Sequence, residues 1–208
     1  LKINGLHRKC SLILLFEMNW LHGYNYILAS KSPRRQELLR SLGISFHVLI
    51  NDEEENYPQY LMKEEIPVFL AELKSKSFIK NLKENDLLIT ADTIVWLNGE
   101  VLGKPENQKE AVKILQKLSA NEHQVITGVC LTSIHKQKSF FSISNVRFKE
   151  LSLAEIEYYV SEYNPLDKAG AYGIQEWIGY IGITHIEGSF FNVMGLPVQQ
   201  LYTEIQNF

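Results

Sequence analysis

Short apolar runs bounded by glycine, proline and polar clusters alternate along this chain with stretches whose apolar residues recur at helical spacing. Tyr26-Ile-Leu-Ala-Ser30 reads as a short buried strand. Ser32-Pro33 then opens a helix running to about Leu42 and stopping at Gly43. Serine is a good N-cap, proline is pre-set for the first helical position, and glycine suits the left-handed residue after the end. Phe46–Ile50 is a second strand, and Asn51–Asn56 an acidic turn. Pro67–Leu82 is predicted helical, with Phe69, Leu70, Leu73 and Ser77 on one face. Leu87–Leu97 is the strongest strand signal, its apolar run interrupted by Thr90-Ala91-Asp92-Thr93. Asn98-Gly99 marks a hairpin turn, with Val101-Leu102 as the return strand. Asn107 caps a predicted helix to about Leu118, and Val125–Ile134 with Phe140–Phe148 reads as a long antiparallel pair. Ser152 and Glu155 form a capping box opening a helix to about Val160. Asp167–Gly195 is glycine-rich and loop-like with short strands inside it, and a last helix follows Pro197. Strands and helices mix without strict alternation, which predicts an α/β or α+β domain built on a mixed sheet.

The chain of 208 residues carries 21 Lys and Arg against 24 Asp and Glu, a net charge of −3. That balance argues against a protein that coats a nucleic-acid polymer. Two cysteines, Cys10 and Cys130, without a CxxC pair, argue against a disulfide framework or a thiolate metal cluster and fit a reducing, cytoplasmic compartment. The apolar run Cys10–Phe16 follows Arg8 and Lys9, is closed by Glu17, and is far short of the roughly 20 residues a membrane span needs. Residues 1–17 are therefore expected to be an extension, with one domain over residues 18–208 and no membrane association.

Four places could carry chemistry. Ser30-Lys31-Ser32-Pro33-Arg34-Arg35 brings a strand to a helix start bearing cations, which suits an anion; a capped helix with two solvated arginines is an equal reading. Asp92 lies inside the most hydrophobic strand and must be paired, metal-bound or at the strand's end; a structural hydrogen-bonder is the commoner reading of a lone strand Asp. Lys104, after the hairpin, and Lys74, on the preceding helix, are expected near it, and the acidic turn offers Glu54 and Glu55. Carboxylates that bind a divalent cation beside cations that bind phosphate oxygens make a metal–polyphosphate site. In Asp167-Lys-Ala-Gly-Ala-Tyr-Gly-Ile-Gln175 the glycines allow close backbone approach, and the Gln175 amide can read one edge of a base. Glu187 through Pro197 is a second polar and glycine-rich cluster, equally readable as a plain turn. Histidine metal motifs, the GxSxG elbow, the P-loop and GxGxxG are all absent from the sequence.

Taken in order, Leu28-Ala-Ser-Lys-Ser-Pro-Arg-Arg-Gln-Glu-Leu-Leu39, Leu70-Ala-Glu-Leu-Lys74, Ala91-Asp-Thr-Ile-Val95, Leu102-Gly-Lys-Pro105, Val125-Ile-Thr-Gly128, the Asp167–Gln175 string and Ile186 through Pro197 resemble the Maf family of nucleoside triphosphate pyrophosphatases, also called septum-formation-inhibitor-like proteins. The string ending in Gln175 is similar to the branch preferring dTTP and UTP. The resemblance implies an α/β fold with a curved mixed sheet flanked by helices, two lobes and a central cleft, often as a homodimer. It implies hydrolysis of dTTP and UTP between the α and β phosphates, giving a nucleoside monophosphate and pyrophosphate, with Mg²⁺ or Mn²⁺. It casts Asp92 as general base, with Glu55 and Asp92 toward the metal. Ser30, Ser32, Arg34, Arg35, Lys74 and Lys104 fall to substrate binding, and Arg34, Thr93 and Gln175 to base selectivity. One departure stands out: Glu176-Trp177 follows Gln175 where the branch usually has glycine. A nonenzymatic nucleotide-binding regulator of cell division, or a pyrophosphatase of the same fold with another base preference, are the alternative readings.

Overall fold

A computed structural model describes residues 23–50 and 56–208. The expected extension at residues 1–17 and the acidic turn with Glu54 and Glu55 lie outside these residues. One mixed sheet organises the rest. Its strands are β1 (Asn25–Ala29), β2 (Phe46–Leu49), β3 (Asp86–Leu97), β4 (Glu100–Leu102), β5 (Glu122–Thr132), β6 (Gln137–Phe148) and β7 (Ile183–Glu187). The order is β2-β1-β3-β5-β6-β7, with β4 added to the far end of β3. β1 pairs in parallel with β2 and β3; all other pairs are antiparallel. The helices are α1 (Pro33–Ser41), α2 (Glu65–Lys76), α3 (Gln108–Leu118), α4 (Leu153–Tyr163), α5 (Trp177–Gly182), α6 (Phe190–Met194) and α7 (Val198–Gln206). The α/β expectation holds, and no helix among the described residues is long and apolar enough to cross a membrane.

β3 organises the packing because it runs through both halves of the molecule. Alternate residues of a strand face opposite ways. Leu87, Ile89 and Ala91 join Tyr26, Leu28, Leu38, Leu39 and Leu201 in one core, while Val95 and Leu97 join Leu115, Leu118, Val146 and Tyr159 in another. These two cores share one face of the sheet and make two lobes. On the other face Ile94 and Trp96 pack with Ile66 and Leu70 of α2. Thr90 donates to the Ala71 carbonyl at 2.7 Å, so α2 is bonded to β3 as well as packed on it.

The structure departs from the sequence reading in two places. The helix expected over Pro67–Leu82 begins at Glu65 and ends at Lys76, followed by a separate 3₁₀ turn at Ile79–Asn81. Pro67 falls in the first turn, where its missing N–H had no intrahelical partner to lose. The strand expected over Leu87–Leu97 does run unbroken through the polar stretch Thr90–Thr93, because α2, Arg35, Thr127 and Lys74 supply partners for Thr90, Thr93 and Asp92. The segment Asp167–Gly195 holds α5 and α6 as well as β7. Helices of five and six residues are too short to print a periodicity.

Gly128 of β5 lies directly under the start of α2. A Cβ there would stand 2.4 Å from the Pro67 carbonyl carbon and the Val68 nitrogen, both backbone atoms. Gly128→Ala is expected to destabilise the fold by about 1–3 kcal/mol, the range for an overpacked core, as read by urea denaturation; an unchanged midpoint would contradict this close approach.

His123 is buried between Phe148 and Tyr172, with Nε2 2.8 Å from the Tyr172 hydroxyl and Nδ1 buried without a partner among the described residues. Burial lowers its pKa from 6.5 to about 4. The unfolded chain thus takes up a proton that the folded one refuses. The stabilisation is whole above about pH 6.5 and is lost as pH falls toward 4. Between pH 7 and 5 the wild-type protein is expected to lose roughly 2 kcal/mol through this group. His123→Phe should flatten that part of the urea-midpoint profile, and parallel profiles for the two proteins would contradict it.

Candidate functional site

The site grows from a gap in the sheet. β1 covers the edge of β3 only as far as Ile89, and β4 covers it only from Val95. Residues 90–94 pair with β5 on one side and, among the described residues, with no strand on the other. A cleft of about 730 Å³ opens over this bare edge, between the two lobes. Its described lining brings together Ser30, Ser32, Arg34, Arg35, Lys74, Asp92, Thr93, Lys104 and Gln175, which are all the described residues expected from the sequence. The remaining expected residue, Glu55, lies outside the described residues.

Arg35 fills the gap. Its Nε donates to the Gly195 carbonyl (2.8 Å), one terminal nitrogen to the Ala91 carbonyl (2.9 Å) and the other to Thr93 Oγ1 (2.9 Å). The planar fork of arginine spreads its donors over three separated acceptors, a geometry that a lysine's single ammonium nitrogen cannot reproduce. Gly195 has φ +112°, a conformation side chains rarely adopt, which aims its carbonyl at Arg35. Thr93 also shares a hydrogen bond with Thr127 (2.9 Å), and Thr127 donates to the Asn192 carbonyl (3.1 Å). Thr93 is thus held from α1, β5 and α6 together.

Asp92, next along the strand, faces the opposite way, toward α2. It is buried, and Lys74 Nζ bonds its Oδ1. A buried carboxylate without such a partner would be costly. Lys104 is exposed and lines the same cleft just beyond Gly103, whose carbonyl accepts from Gly170 N–H (3.1 Å). That bond ties the exit of β4 to the loop carrying Gln175.

The start of α1 is less open to anions than its sequence suggests. The Ser32 hydroxyl accepts from Arg35 N–H (3.4 Å), and its carbonyl accepts from Gln36 N–H (3.2 Å). Pro33 has no N–H to offer. The Ser30 hydroxyl accepts from Ser32 N–H at 3.2 Å. Much of the anion affinity at this end therefore falls to side chains. Arg34 reaches across the cleft to Asp167 (2.9 Å), whose other oxygen is 2.8 Å from Lys168 Nζ. Partial burial pushes the Asp167 pKa up, but bonds from Lys168 and Arg34 outweigh it and hold the carboxyl below its usual range. The Arg34–Asp167 pair is exposed and weak, so Arg34 can exchange partners at little cost.

Gln175 stands at the corner of a turn closed by Glu176 N–H to the Gly173 carbonyl (3.0 Å), and its Oε1 is buried with no partner among the described residues. Glu176, expected beside the base-reading position, is turned away. Its carboxylate meets the Tyr159 hydroxyl and Lys168 (3.2 Å) and does not line the cleft. Tyr159 and the partners of Asp167 and Lys168 were not singled out from sequence. Asp167 and Lys168 at least stand in a noted string, whereas Tyr159 reads only as a buried residue of an amphipathic helix.

Residues 25–208 match the family model described as Maf-like protein. The chain is similar to the dTTP/UTP pyrophosphatase of Phocaeicola vulgatus, 55% identical over 187 residues, covering 89% of this chain and 97% of that one. The protein of the same name from Bacteroides thetaiotaomicron is 54% identical over the same length and shares. That from Porphyromonas gingivalis strain W83 is 48% identical over 191 residues, covering 90% and 96%. A match over this much of the chain, with the segments that carry it gathered around one cleft, shows that the chain belongs to the Maf family.

Proposed function

We propose that the cleft hydrolyses dTTP and UTP to the nucleoside monophosphate and pyrophosphate, the activity named for its relatives. The observation that carries this reading is Asp92. It is a buried carboxylate at the bare edge of β3, in a cleft whose described charged lining is otherwise cationic except for Asp167. Lys31, Arg34, Arg35, Lys74, Lys104 and Lys168 make six cations against those two carboxylates. That excess suits a triphosphate.

In this reading Lys74, Lys104 and Arg34 engage the phosphates, and Ser30 and Ser32 shape the α1 side of the chamber. Arg35 is occupied with Gly195, Ala91 and Thr93, so its first task is to hold the gap and the strand beside it. Lys74 fixes one oxygen of Asp92, leaving the other oriented to take a proton from water. The water attacks the α-phosphorus, the bond to the α–β bridging oxygen breaks, and pyrophosphate leaves with its charge met by the lysines. Mg²⁺ usually takes one or two carboxylates and completes its shell with phosphates and water, and Asp92, the cleft carboxylate not tied to Arg34, fits that pattern. Asp92, with Glu55 from the acidic turn, would hold such a cation, which would neutralise charge on the phosphate oxygens.

Uracil and thymine present the same O4, N3–H and O2 edge. The unmet Oε1 of Gln175 can accept N3–H while its amide donates to a ring carbonyl. Cytosine, with N3 as acceptor, offers that oxygen no donor at N3. A single unit over residues 18–208 acting in the cytoplasm, where such nucleotides are made, completes the reading.

Asp92→Asn is expected to lose ~10²–10⁴-fold in kcat, the usual contribution of a positioned base, while nucleotide still binds by calorimetry; full turnover would remove Asp92 from the mechanism. Pyrophosphate release from UTP, dTTP, CTP and GTP with Mg²⁺ or Mn²⁺ should favour the first two by about 10²-fold or more. Equal rates on all four would reject the assignment of Gln175.

A further inference from the structure

The turn that presents Gln175 is closed twice. The first closure is the backbone bond from Glu176 N–H to the Gly173 carbonyl, 3.0 Å. The second runs through a side chain from another helix. Gly173 N–H donates to the Tyr159 hydroxyl oxygen (3.0 Å), and the same hydroxyl donates to Glu176 Oε2. Tyr159 thus joins the first and last residues of the turn from outside it. Tyr159 is fully buried, so neither hydrogen bond has water to compete with it. Burial, and then the facing Glu176 carboxylate, push the Tyr159 pKa up, which keeps the hydroxyl a donor at any working pH.

Glu176 has a second partner on the cleft side. Its Oε1 lies 3.2 Å from Lys168 Nζ, whose side chain is only 9% exposed. Lys168 is shared with Asp167, and Asp167 holds Arg34 across the cleft mouth. One carboxylate therefore braces the base-facing turn and anchors the chain of charges that reaches the phosphate side. Gly173 is shaped to admit it. A Cβ on Gly173 would stand 2.6 Å from the Glu176 carboxyl carbon and within 2.9 Å of both its oxygens. The glycine leaves room for a carboxylate laid directly over the turn.

We infer that Glu176 is a positioning residue for base selection, acting through Tyr159 and Lys168 to hold Gln175 in reading geometry. The inference rests on the function proposed above. A merely structural carboxylate would affect stability, or all substrates alike. A positioning one affects the base edge and leaves the phosphate chemistry around Asp92 intact. Small displacements of a positioning group suffice for large losses.

The test compares Glu176→Ala, Glu176→Gln and Gly173→Ala with wild type. The readouts are steady-state pyrophosphate release on UTP and CTP, and melting temperature. Glu176→Ala is expected to raise KM for UTP by roughly tenfold with kcat held within about threefold, and to compress the UTP-to-CTP preference in kcat/KM by a similar factor. Glu176→Gln keeps an acceptor for Tyr159 and should restore most of that preference. Gly173→Ala should reproduce Glu176→Ala by displacing the carboxylate. Its effect should largely vanish in the double variant, because the two changes act on one contact. If Glu176→Ala fails to fold, Gly173→Ala alone decides, since its clash is with the end of a movable side chain. Folded variants with wild-type base preference, or equal losses in kcat on both nucleotides, would overturn the inference. Wild-type protein that releases pyrophosphate from neither nucleotide would instead overturn the functional reading beneath it.

Discussion

The incomplete edge of β3 is the constraint from which the site follows. A strand must have its backbone polar groups met, and β3 runs through both lobes while its neighbours on one side stop short. In the gap between β1 and β4 no strand among the described residues supplies a donor to the Ala91 carbonyl, and Arg35 brings one from the first turn of α1. Docking that guanidinium into the gap fixes α1, and with it Ser30, Ser32 and Arg34, against the strand that carries Asp92 and Thr93. The cleft exists because the sheet is split there. It is polar because the split exposes backbone that must be satisfied.

Strand alternation then divides the labour at this point. Thr93 faces α1 and α6 and is held by Arg35 and Thr127, while Asp92 faces α2 and is held by Lys74. Neighbours in sequence thus belong to different networks, one tied to α1 and α6 and the other to α2. The second lobe contributes the turn at Gly173–Glu176, braced from α4 by Tyr159. The two lobes meet through exposed, exchangeable contacts such as Arg34 with Asp167, which suits a chamber that must admit a large charged ligand.

Much of this was legible in the residues. Ser32-Pro33 and Gly43 delimit α1 because capping and φ preference are local. Asp92 stood out because a carboxylate in an apolar strand has to be answered, and Lys74 answers it. Other features were hidden. Arg34 and Arg35 look alike in sequence, yet one reaches a surface carboxylate and the other closes the gap, since only the fold decides which neighbour lies within reach. Glu176 reads as a charge beside the base; its side chain in fact lies over Gly173, a placement set by Tyr159 from a helix earlier in the chain. The end of the helix after Lys76 and the short α5 and α6 escaped because they are fixed by packing and by single side-chain bonds, not by periodicity.

By itself the sequence determined the mixed α/β character, the order of the longer strands and helices, and the short segments that carry charge, because each depends on residues within a turn or two of one another. Tertiary structure alone decided that these segments share one cleft, that β3 is left uncovered over residues 90–94, and which cation serves the backbone and which the carboxylate. Those outcomes depend on strand pairing and on contacts between residues far apart in the chain, where the length of a neighbouring strand, not any local preference, sets what remains unpaired.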